Sequence, residues 1–419
     1  MDFQALNAST LGDYLRTLPV ITELLGDMAD LDIAEVGDGN LNYVYFVSSR
    51  ANPDKGLVVK QALPYMRLVG EGWPLTRHRS DREAHALRRF GSLCPQHVPA
   101  LLHFDSAQSL IVMQRLGEHL ILRKGLVNGV IYPKLAEHLA GYLARTLFHG
   151  SDLYLSADAK KQAVASTTNS ELCKITEDLV LTNPFEDHPN NVYNPALPRG
   201  TVARLHHNPA LRVAAAQMKW AFMNQAETLL HGDLHTGSVM VNQRDTYVID
   251  PEIACYGPMG FDIGLLLANF ATAYLSQDWH RAQAGTDPAP YQAWLSEQIS
   301  QLWRGFSQEF LALWGAHDAR SGGGFMGAAR DADSLAQFRA SFMQHIFSDA
   351  LGFAGCELIR RTLGLAKVAE IANIPDDAAR AVFDMRALSL GEALLLQRHQ
   401  ITDMDQVLRL LRNTRMPPP

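Results

Sequence analysis

The sequence predicts an α+β protein with a small β-rich lobe over residues 1–115 and a larger, mainly helical lobe over residues 116–419. Three observations predict this class. The chain has 419 residues, which is more than one ordinary hydrophobic core organises. Short apolar runs separated by turn residues fill the region from Ile33 to Lys60, and helical periodicity dominates after Leu116. A cleft where two such lobes meet is a common place for a ligand.

The first lobe is predicted to hold a five-stranded sheet and one long helix. Residues 1–30 indicate one or two short helices. A helix is expected from about Asp81 to Phe90, where Ala84 and Leu87 follow a helical period. The strands are predicted at Ile33–Val36, Tyr43–Val47, Leu57–Lys60, Leu101–Phe104 and Leu110–Met113.

The second lobe is predicted to be mainly helical. Apolar residues at i, i+3, i+4 and i+7 predict an amphipathic helix over Leu135–Phe148. The segment from Asn183 to Pro209 is rich in Asn, Pro and His and predicts a long loop. Beyond Phe261 we expect helices throughout, interrupted by the flexible Gly322–Gly324 segment.

Composition narrows the class of function. The formal net charge of −7, with 47% hydrophobic and 19% charged residues, is typical of a soluble globular protein and argues against nucleic acid or a membrane as the main partner. Four scattered cysteines without a CxxC pair disfavour structural zinc and a disulfide framework. The N-terminus lacks the pattern of a signal peptide, and no run is long and apolar enough to span a bilayer. We therefore expect a cytoplasmic location.

The most informative segments are His231-Gly232-Asp233-Leu234-His235-Thr236-Gly237-Ser238 and the later Ile249-Asp250-Pro251-Glu252. The first places a carboxylate, Asp233, in a short polar loop. The second ends an apolar strand with Asp250 and Glu252, whose side chains point to the same side of an extended segment and can meet one cation. One acid to receive a hydroxyl proton and two oxygen ligands for Mg²⁺ are the groups that phosphoryl transfer from ATP requires. The pattern predicts a kinase.

Two further features fit ATP. Gly37-Asp38-Gly39-Asn40 connects two strands, so it is not a dinucleotide or Walker-type loop, each of which opens a helix. It is either an ordinary β-turn or a hairpin whose N–H groups cover phosphates. Lys60 ends a strand about twenty residues later and is either a solvated strand-edge lysine or a phosphate ligand, with Glu83 as the acid that holds it.

Two residue groups admit other interpretations. His231 and His235 flank Asp233, which suggests a zinc site, although this set offers no clear fourth ligand; the alternative is that His231 binds the loop backbone and supports its shape. Arg360-Arg361 follows an apolar helical stretch. The pair is suited to phosphate or a hydroxyl-rich ligand, or else marks a basic helix end at the surface.

These segments resemble a known family. HGDLHTGSVM followed by VIDPEIACYGPMGFDIG is similar to the catalytic and metal-binding segments of the aminoglycoside-phosphotransferase and choline-kinase superfamily, which has a protein-kinase-like fold. The resemblance is closest to the 5-methylthioribose kinases, which share HGDLHTGS, DPE, GPxGFDxG, a Trp-Pro loop (Trp73-Pro74) and an arginine pair near the C-terminal end. Most of the superfamily has a metal-binding asparagine where Ser238 stands.

The resemblance implies a role for each matching residue. Asp233 would be the catalytic base toward the 1-hydroxyl of the sugar, Asp250 and Glu252 would bind Mg²⁺, and Arg360 and Arg361 would bind the γ-phosphate or the sugar. Glu252 is the candidate to replace the missing asparagine ligand. The implied ATP contacts are Lys60 at the phosphates, Gly37, Gly39 and Asn40 over them, and Met113, Gln114 and Leu116 beside the adenine.

The resulting expectation is an ATP- and Mg²⁺-dependent kinase that phosphorylates 5-methylthioribose in methionine salvage. The resemblance also implies a homodimer. Choline, homoserine or an aminoglycoside is an alternative acceptor on the same fold, although an arginine pair would repel a polycation. A catalytically inactive nucleotide-binding module is a further alternative. It is disfavoured because the base, the metal ligands and the lysine are all in place.

Overall fold

The computed structural model describes residues 3–26, 28–36, 41–66, 70–321 and 331–414. These residues form two units. The first contains the described residues up to His119 together with Tyr247–Ala254, and the second contains Leu120–Thr246 and the described residues from Cys255 onward. The first unit is β-rich and the second mainly helical, which confirms the predicted α+β class. The Gly37–Asn40 and Gly322–Gly324 segments lie outside the described residues.

The first unit is built on a five-stranded antiparallel sheet. Its elements are α1 (Ala8–Arg16), α2 (Pro19–Leu25), β1 (Leu31–Glu35), β2 (Asn42–Ser49), β3 (Asn52–Ala62), β4 (Tyr65–Met66), β5 (Gly70–Pro74), α3 (Arg79–Leu93), β6 (Leu101–Asp105) and β7 (Leu110–Gln114). The strand order is β1-β2-β3-β7-β6, and β4 pairs separately with β5. The five predicted strands, the two short helices and the long helix are confirmed.

Helices α1 and α2 cover one face of this sheet. Leu11 and Ile21 are fully buried in an apolar cluster that includes Val59 of β3. Burying side chains of this size contributes about 2 kcal/mol each. Because successive side chains of a strand point to opposite faces, Lys60 projects from the other face, where Glu83 of α3 accepts a hydrogen bond from it.

The second unit is mainly helical, as predicted. Its helices are α4 (Leu122–Val127), α5 (Leu135–His149), α6 (Ala157–Ser166), α7 (Ser170–Leu179), α8 (Thr201–His206), α9 (Pro209–Asn224), α10 (Gly260–Gln283), α11 (Ala289–Ser321), α12 (Ala332–Leu363), α13 (Ala369–Ala372), α14 (Asp377–Gln397) and α15 (Met404–Asn413). The short strands β8 (Leu120–Ile121) and β10 (Val239–Val241) form one antiparallel pair, and β9 (Thr228–Leu230) and β12 (Cys255–Gly257) form another. Strand β11 is Thr246–Val248.

Helices α10 and α12 pack closely because α10 carries glycine at the crossing. A Cβ atom on Gly264 would lie 2.5 Å from the Ala350 carbonyl oxygen of α12. Only glycine therefore fits this crossing without a backbone shift. Gly264, the second glycine of the GFDIG motif, thus allows the close approach of α12, the helix that carries Arg360 and Arg361.

The predicted long loop over residues 183–209 is wrong in part. The segment contains a 3₁₀ turn, Asn183–Phe185, and the six-residue helix α8, and α9 begins at Pro209. A helix of two turns shows too few residues for a periodic apolar pattern. It is held by tertiary packing instead, since Leu205 is only 1% exposed. No helix among the described residues has the length and apolar character needed to cross a bilayer.

Candidate active site

The loop from His231 to Ser238 connects β9 and β10 and is anchored by Asp262 in the first turn of α10. The Asp262 carboxylate accepts hydrogen bonds from the backbone N–H groups of His231, at 2.7 Å, and Gly232, at 3.0 Å. Gly232 has φ +86°, a conformation that favours glycine. Since Asp262 is only 1% exposed, water does not compete for these bonds, and the loop backbone is held firmly.

Two histidines and a serine fix the shape of the loop. The Asp233 N–H donates to His231 Nδ1 at 3.3 Å, and the Gly237 N–H donates to His235 Nδ1 at 3.0 Å. A neutral imidazole that accepts at Nδ1 carries its proton on Nε2. His235 Nε2 lies 3.4 Å from Asp233 Oδ2, so its N–H points at that carboxylate. Ser238 Oγ donates to the Asp233 carbonyl oxygen at 2.9 Å, which makes it a loop-supporting residue.

Asp233 lies beside the His235 imidazole and the guanidinium groups of Arg360 and Arg361. Burial by itself would raise its pKa, but the nearby His235, and then Arg360 and Arg361, outweigh burial and hold the pKa of this carboxyl well below its usual range. Arg360 Nη2 lies 3.8 Å from Asp233 Oδ1. Asp233 is therefore ionised at any physiological pH.

The arginine pair belongs to the buried face of α12 and not to a surface helix end. Both side chains are 9% exposed, and both bind Glu357: Arg360 Nε donates to Oε2 at 2.6 Å and Arg361 Nε to Oε1 at 2.7 Å. Although burial opposes ionisation of Glu357, the two guanidinium groups lower its pKa to about 2. Glu357 therefore fixes the direction of both cations beside Asp233.

A second layer of polar groups, which the sequence did not indicate, supports this arrangement. Arg123 donates to Glu370 Oε1 at 3.2 Å and to Asn269 Oδ1 at 3.1 Å. Thr236 Oγ1 of the His231–Ser238 loop lies 3.2 Å from the same Asn269 oxygen and 3.3 Å from the same Glu370 oxygen. Asn269 Nδ2 in turn lies 3.4 Å from Glu357 Oε1. These residues are far apart in sequence and match no motif, so only the fold reveals them.

In the first unit, three carboxylates surround the Lys60 ammonium group. Lys60 Nζ lies 2.9 Å from Glu83 and 3.4 Å from Glu252, and it also contacts Asp250 directly. Oxygen atoms of these three acids lie within 4.8 Å of one another. The structure thus brings together Lys60, Glu83 and both predicted metal ligands, with Glu83 as a third acid in reach of the same point.

Burial makes this acidic cluster electrostatically costly. Desolvation disfavours the charged form of each group, and the lysine only partly offsets this for the acids. The pKa of Glu83 is raised to about 8, and the pKa of Glu252 is also raised. For Lys60, desolvation is outweighed by the charges of Asp250, Glu252 and Glu83, and its pKa lies well above the usual value. Asp250 has φ +68°, which is uncommon for a residue with a side chain.

Asn42 and Arg79 orient Glu252, and neither appeared among the predicted site residues. Arg79 Nε donates to Asn42 Oδ1 at 3.1 Å, and Asn42 Nδ2 donates to Glu252 Oε2 at 2.7 Å. The remaining Arg79 nitrogens bind backbone carbonyls, among them that of Leu63 at 2.8 Å. Arg79 is only 1% exposed, so this chain of contacts is a rigid part of the interior of the unit.

The residues predicted beside the adenine lie at the end of β7. Met113 and Leu116 are both 8% exposed. Gln114 makes two hydrogen bonds with Ala100. Its side-chain Oε1 accepts from the Ala100 N–H at 3.2 Å, and its backbone N–H donates to the Ala100 carbonyl oxygen at 2.9 Å. The hairpin residues Gly37, Gly39 and Asn40 lie outside the described part of the chain.

The zinc interpretation of His231, Asp233 and His235 is wrong. In the described ranges, the acids, histidines and cysteines whose ligand atoms come close enough to hold an ion are Glu83, Asp250 and Glu252. The Nδ1 atoms of both histidines accept backbone N–H groups within the loop. The predicted alternative, in which His231 binds the loop backbone, is what the structure shows.

A cavity of about 350 Å³ in the second unit reaches Arg361. Its lining combines apolar side chains such as Leu358, Val368 and Ile371 with Lys367 and Asp384. Burial lowers the pKa of Lys367 to about 8, which the nearby Asp384 only partly opposes. A volume of this size accommodates a small organic molecule.

Comparison with known proteins identifies the family. The phosphotransferase enzyme family matches residues 32–297. Methylthioribose kinase 1 of Oryza sativa subsp. japonica is 42% identical over 410 residues, 97% of this chain and 94% of the rice protein. Methylthioribose kinase of Yersinia enterocolitica is 41% identical over 411 residues, 98% of each chain. This chain belongs to the methylthioribose kinase family. The family resemblance predicted from HGDLHTGS and DPE is thereby confirmed.

Other members of the methylthioribose kinase family agree with this assignment. The methylthioribose kinase of Geobacillus sp. (strain WCH70) is 40% identical over 398 residues, 95% of this chain and 94% of that protein. Among solved structures, an ethanolamine kinase of Plasmodium vivax covers 98% of this chain and 89% of its own, with a TM-score of 0.44 and 13% identity. That similarity is too distant to bear on the acceptor.

Proposed function

We propose that this chain transfers the γ-phosphoryl group of ATP to the 1-hydroxyl of 5-methylthioribose, giving 5-methylthioribose 1-phosphate in methionine salvage. The observation that carries the proposal is the ionised Asp233 carboxylate beside two buried guanidinium groups, Arg360 and Arg361, in a chain of this family. A carboxylate accepts the hydroxyl proton, and guanidinium groups stabilise charge on a transferring phosphoryl group.

The depressed pKa of Asp233 defines how it acts. A carboxylate with so low a pKa is a weak base toward a free alcohol. It still accepts a hydrogen bond from the sugar hydroxyl and points the oxygen lone pair at the phosphorus. When Arg360 and Arg361 engage phosphate oxygens, their charges are shared, so the pKa of Asp233 rises at the stage when the proton leaves the oxygen. Asp233 is therefore first an orienting group and then a proton acceptor.

The first unit is proposed to hold Mg²⁺ and the ATP phosphates. Asp250 and Glu252, with Glu83 in reach of the same point, offer the carboxylate oxygens that Mg²⁺ prefers. When bound, Mg²⁺ neutralises phosphate charge and helps to orient the phosphates. Lys60, held by Glu83 at 2.9 Å, is proposed to bind phosphate oxygens directly.

The remaining nucleotide contacts are proposed from the family alone. Gly37, Gly39 and Asn40 are assigned to cover the phosphates, and the segment from Met113 to Leu116 to flank the adenine. In this proposal residues 1–115 bind ATP, and residues 116–419 activate the acceptor. Tyr247–Ala254 is the exception, since it belongs to the first unit and supplies Asp250 and Glu252.

The cavity at Arg361 is proposed to receive part of the acceptor. An apolar thioether suits Leu358, Val368 and Ile371, while hydroxyl groups suit the polar side chains at its edge. A cationic acceptor such as choline would face three basic side chains, Arg361, Lys367 and Arg380, and a single aromatic ring, Tyr193, which is not a cage; that arrangement disfavours it. Ile371→Trp, which fills the cavity, is expected to raise the KM for the acceptor at least tenfold and leave the KM for ATP within twofold. An unchanged acceptor KM would place the acceptor elsewhere.

The decisive experiment is an assay of ADP release from Mg-ATP with 5-methylthioribose, choline, homoserine and kanamycin supplied separately. Release with 5-methylthioribose alone is expected. Release with a different acceptor would support kinase activity but refute 5-methylthioribose as the acceptor. ATP binding without ADP release with any of the four compounds would favour an inactive nucleotide-binding module.

Asp233→Ala is the matched variant for this assay. It is expected to reduce turnover by roughly 10³-fold while the Kd for ATP stays within threefold. Retained turnover would refute the role of Asp233. Asp278→Ala is a suitable control, because Asp278 pairs with Arg386 at 2.6 Å and is not a proposed site residue.

Two broader assignments complete the proposal. A homodimer is proposed from the family resemblance, and light scattering coupled to size exclusion tests it directly: a mass near 93 kDa is expected from a chain of 46.4 kDa. A cytoplasmic location is proposed because four scattered cysteines without a CxxC pair are typical of a reducing compartment.

A further inference from the structure

The short helix α13 connects the cavity at Arg361 with the His231–Ser238 loop. Val368, directly before the helix, and Ile371 within it line the cavity. Glu370 lies between these two residues in sequence and is fully buried, at 0% exposure. Because a glutamate is almost never buried to this extent without a partner, the contacts of its carboxylate indicate what it does.

The Glu370 carboxylate holds the loop and α4 together. Arg123 Nε of α4 lies 3.2 Å from each of its two oxygens. Thr236 Oγ1 of the loop lies 3.3 Å from Oε1 and 3.2 Å from Asn269 Oδ1. Since a charged acceptor forms the stronger hydrogen bond, we assign the Thr236 hydroxyl proton to Glu370. The Arg123 backbone N–H donates to the Thr236 carbonyl oxygen at 3.1 Å, so this residue pair holds both the side chain and the backbone of Thr236.

The position of Glu370 is itself fixed, and its charge reaches the arginine pair. His280 Nε2 of α10 donates to the Glu370 carbonyl oxygen at 2.8 Å. Burial lowers the pKa of His280, so the ring is a neutral donor at pH 7. Burial also opposes the charge of Arg361, but Glu357, then Asp233, and last Glu370 outweigh it and raise the pKa of that guanidinium group.

We propose that Glu370 is a positioning residue that sets the distance between an acceptor in the cavity and Asp233. The inference rests on the proposed function, in which this cavity receives part of the acceptor. An acceptor packed against Val368 and Ile371 is positioned relative to α13. Glu370 holds the same helix to Thr236, three residues after Asp233 in the loop. Since small misplacements of reacting groups are costly in rate, this contact acts on kcat and not on binding.

Glu370→Gln tests the role, because it keeps the size of the side chain and removes its charge. Arg123 loses the carboxylate that it binds, and the Thr236 hydroxyl loses a charged acceptor, so the loop is held less firmly. We expect kcat to fall by about tenfold or more, with the KM values for 5-methylthioribose and ATP within about threefold of the parent. Faster amide hydrogen exchange is expected in a peptide spanning residues 231–238, and this readout needs no turnover.

Two variants of Thr236 separate positioning from folding. Thr236→Val removes the hydroxyl group and should lower kcat as Glu370→Gln does, whereas Thr236→Ser keeps it and should recover most of that loss. In the double variant Glu370→Gln/Thr236→Val the two losses should not add, because both remove the same contact. Glu309→Gln is the control and should keep the parent kcat, since Glu309 pairs with the partly exposed Arg145 at 2.8 Å.

The outcomes distinguish this inference from the proposed function. Unchanged kcat in Glu370→Gln beside an active parent protein would overturn the positioning role alone. A raised acceptor KM with unchanged kcat would also overturn it, because that result indicates lost binding. If Glu370→Gln does not fold, equal kcat in Thr236→Val and Thr236→Ser would overturn the role. If the parent protein does not phosphorylate 5-methylthioribose, the proposed function fails, and an unchanged exchange rate in the 231–238 peptide would overturn the contact independently.

Discussion

The substitution Glu357→Gln tests how much the arginine pair depends on its buried counterion. Glu357 is 1% exposed and binds Arg360 at 2.6 Å and Arg361 at 2.7 Å. Its pKa is lowered from 4.5 to about 2. Since each pKa unit corresponds to about 1.4 kcal/mol, the charge of Glu357 contributes about 3 kcal/mol to folding at pH 7. The variant should lose about that amount, because two buried guanidinium groups then lack their shared carboxylate.

The pH dependence of this loss has a definite sign. A carboxyl group whose pKa is depressed in the folded protein stabilises it above the unfolded pKa of about 4.5, and this contribution disappears as the pH falls toward about 2. The difference between parent and Glu357→Gln should therefore shrink from about 3 kcal/mol at pH 7 to about 2 kcal/mol at pH 3.5.

Urea unfolding at a series of pH values from 7 to 3.5 measures both quantities. Glu392→Gln is the control, since Glu392 pairs at 2.9 Å with Arg204, whose side chain is 54% exposed, and such surface pairs contribute about 1 kcal/mol or less. A loss below about 1 kcal/mol for Glu357→Gln at pH 7, or a loss that grows toward acid pH, would refute the reasoning.

Two further substitutions test the acidic cluster around Lys60 and the Asp262 anchor of the His231–Ser238 loop. Lys60→Met removes the cation from three neighbouring carboxylates, so we expect turnover to be lost and stability without Mg²⁺ to fall by about 3 kcal/mol at pH 8. Since protonation of Glu83 and Glu252 relieves their repulsion, that deficit should shrink toward pH 5 in urea unfolding, and a pH-independent deficit would contradict it. Asp262→Asn weakens the anchor of the His231–Ser238 loop, so we expect about tenfold lower kcat with the KM for ATP unchanged; unaltered kcat in steady-state assays would contradict the anchoring role.

Much of the fold was predictable because its signals are local. The strands and α3 of the first unit carry apolar patterns that do not depend on distant contacts, as does α5. Helix α8 was missed because two turns are too short for a period, and its formation depends on burying Leu205.

The candidate site was predictable where a motif carries it. Asp233 and Asp250 were found in this way, and the association of Lys60 with Glu83 was expected from their order along the sheet and helix. Asn42, Arg79 and Arg123 were not found. Each acts through a partner more than thirty residues away in sequence, such as Asn42 on Glu252, and a single sequence contains no spacing rule for such pairs.

The composition of the first unit has a consequence for synthesis. This unit needs residues up to His119 and also Tyr247–Ala254, where Val248 donates its N–H to the His97 carbonyl at 2.8 Å. At about 5–20 residues per second, a ribosome needs roughly 7 to 27 seconds to extend the chain from His119 to Ala254. During that time the nascent first unit lacks Asp250 and Glu252, and of the three carboxylates around Lys60 it has Glu83 alone. We expect the first unit to stay incomplete until Tyr247–Ala254 has been synthesised.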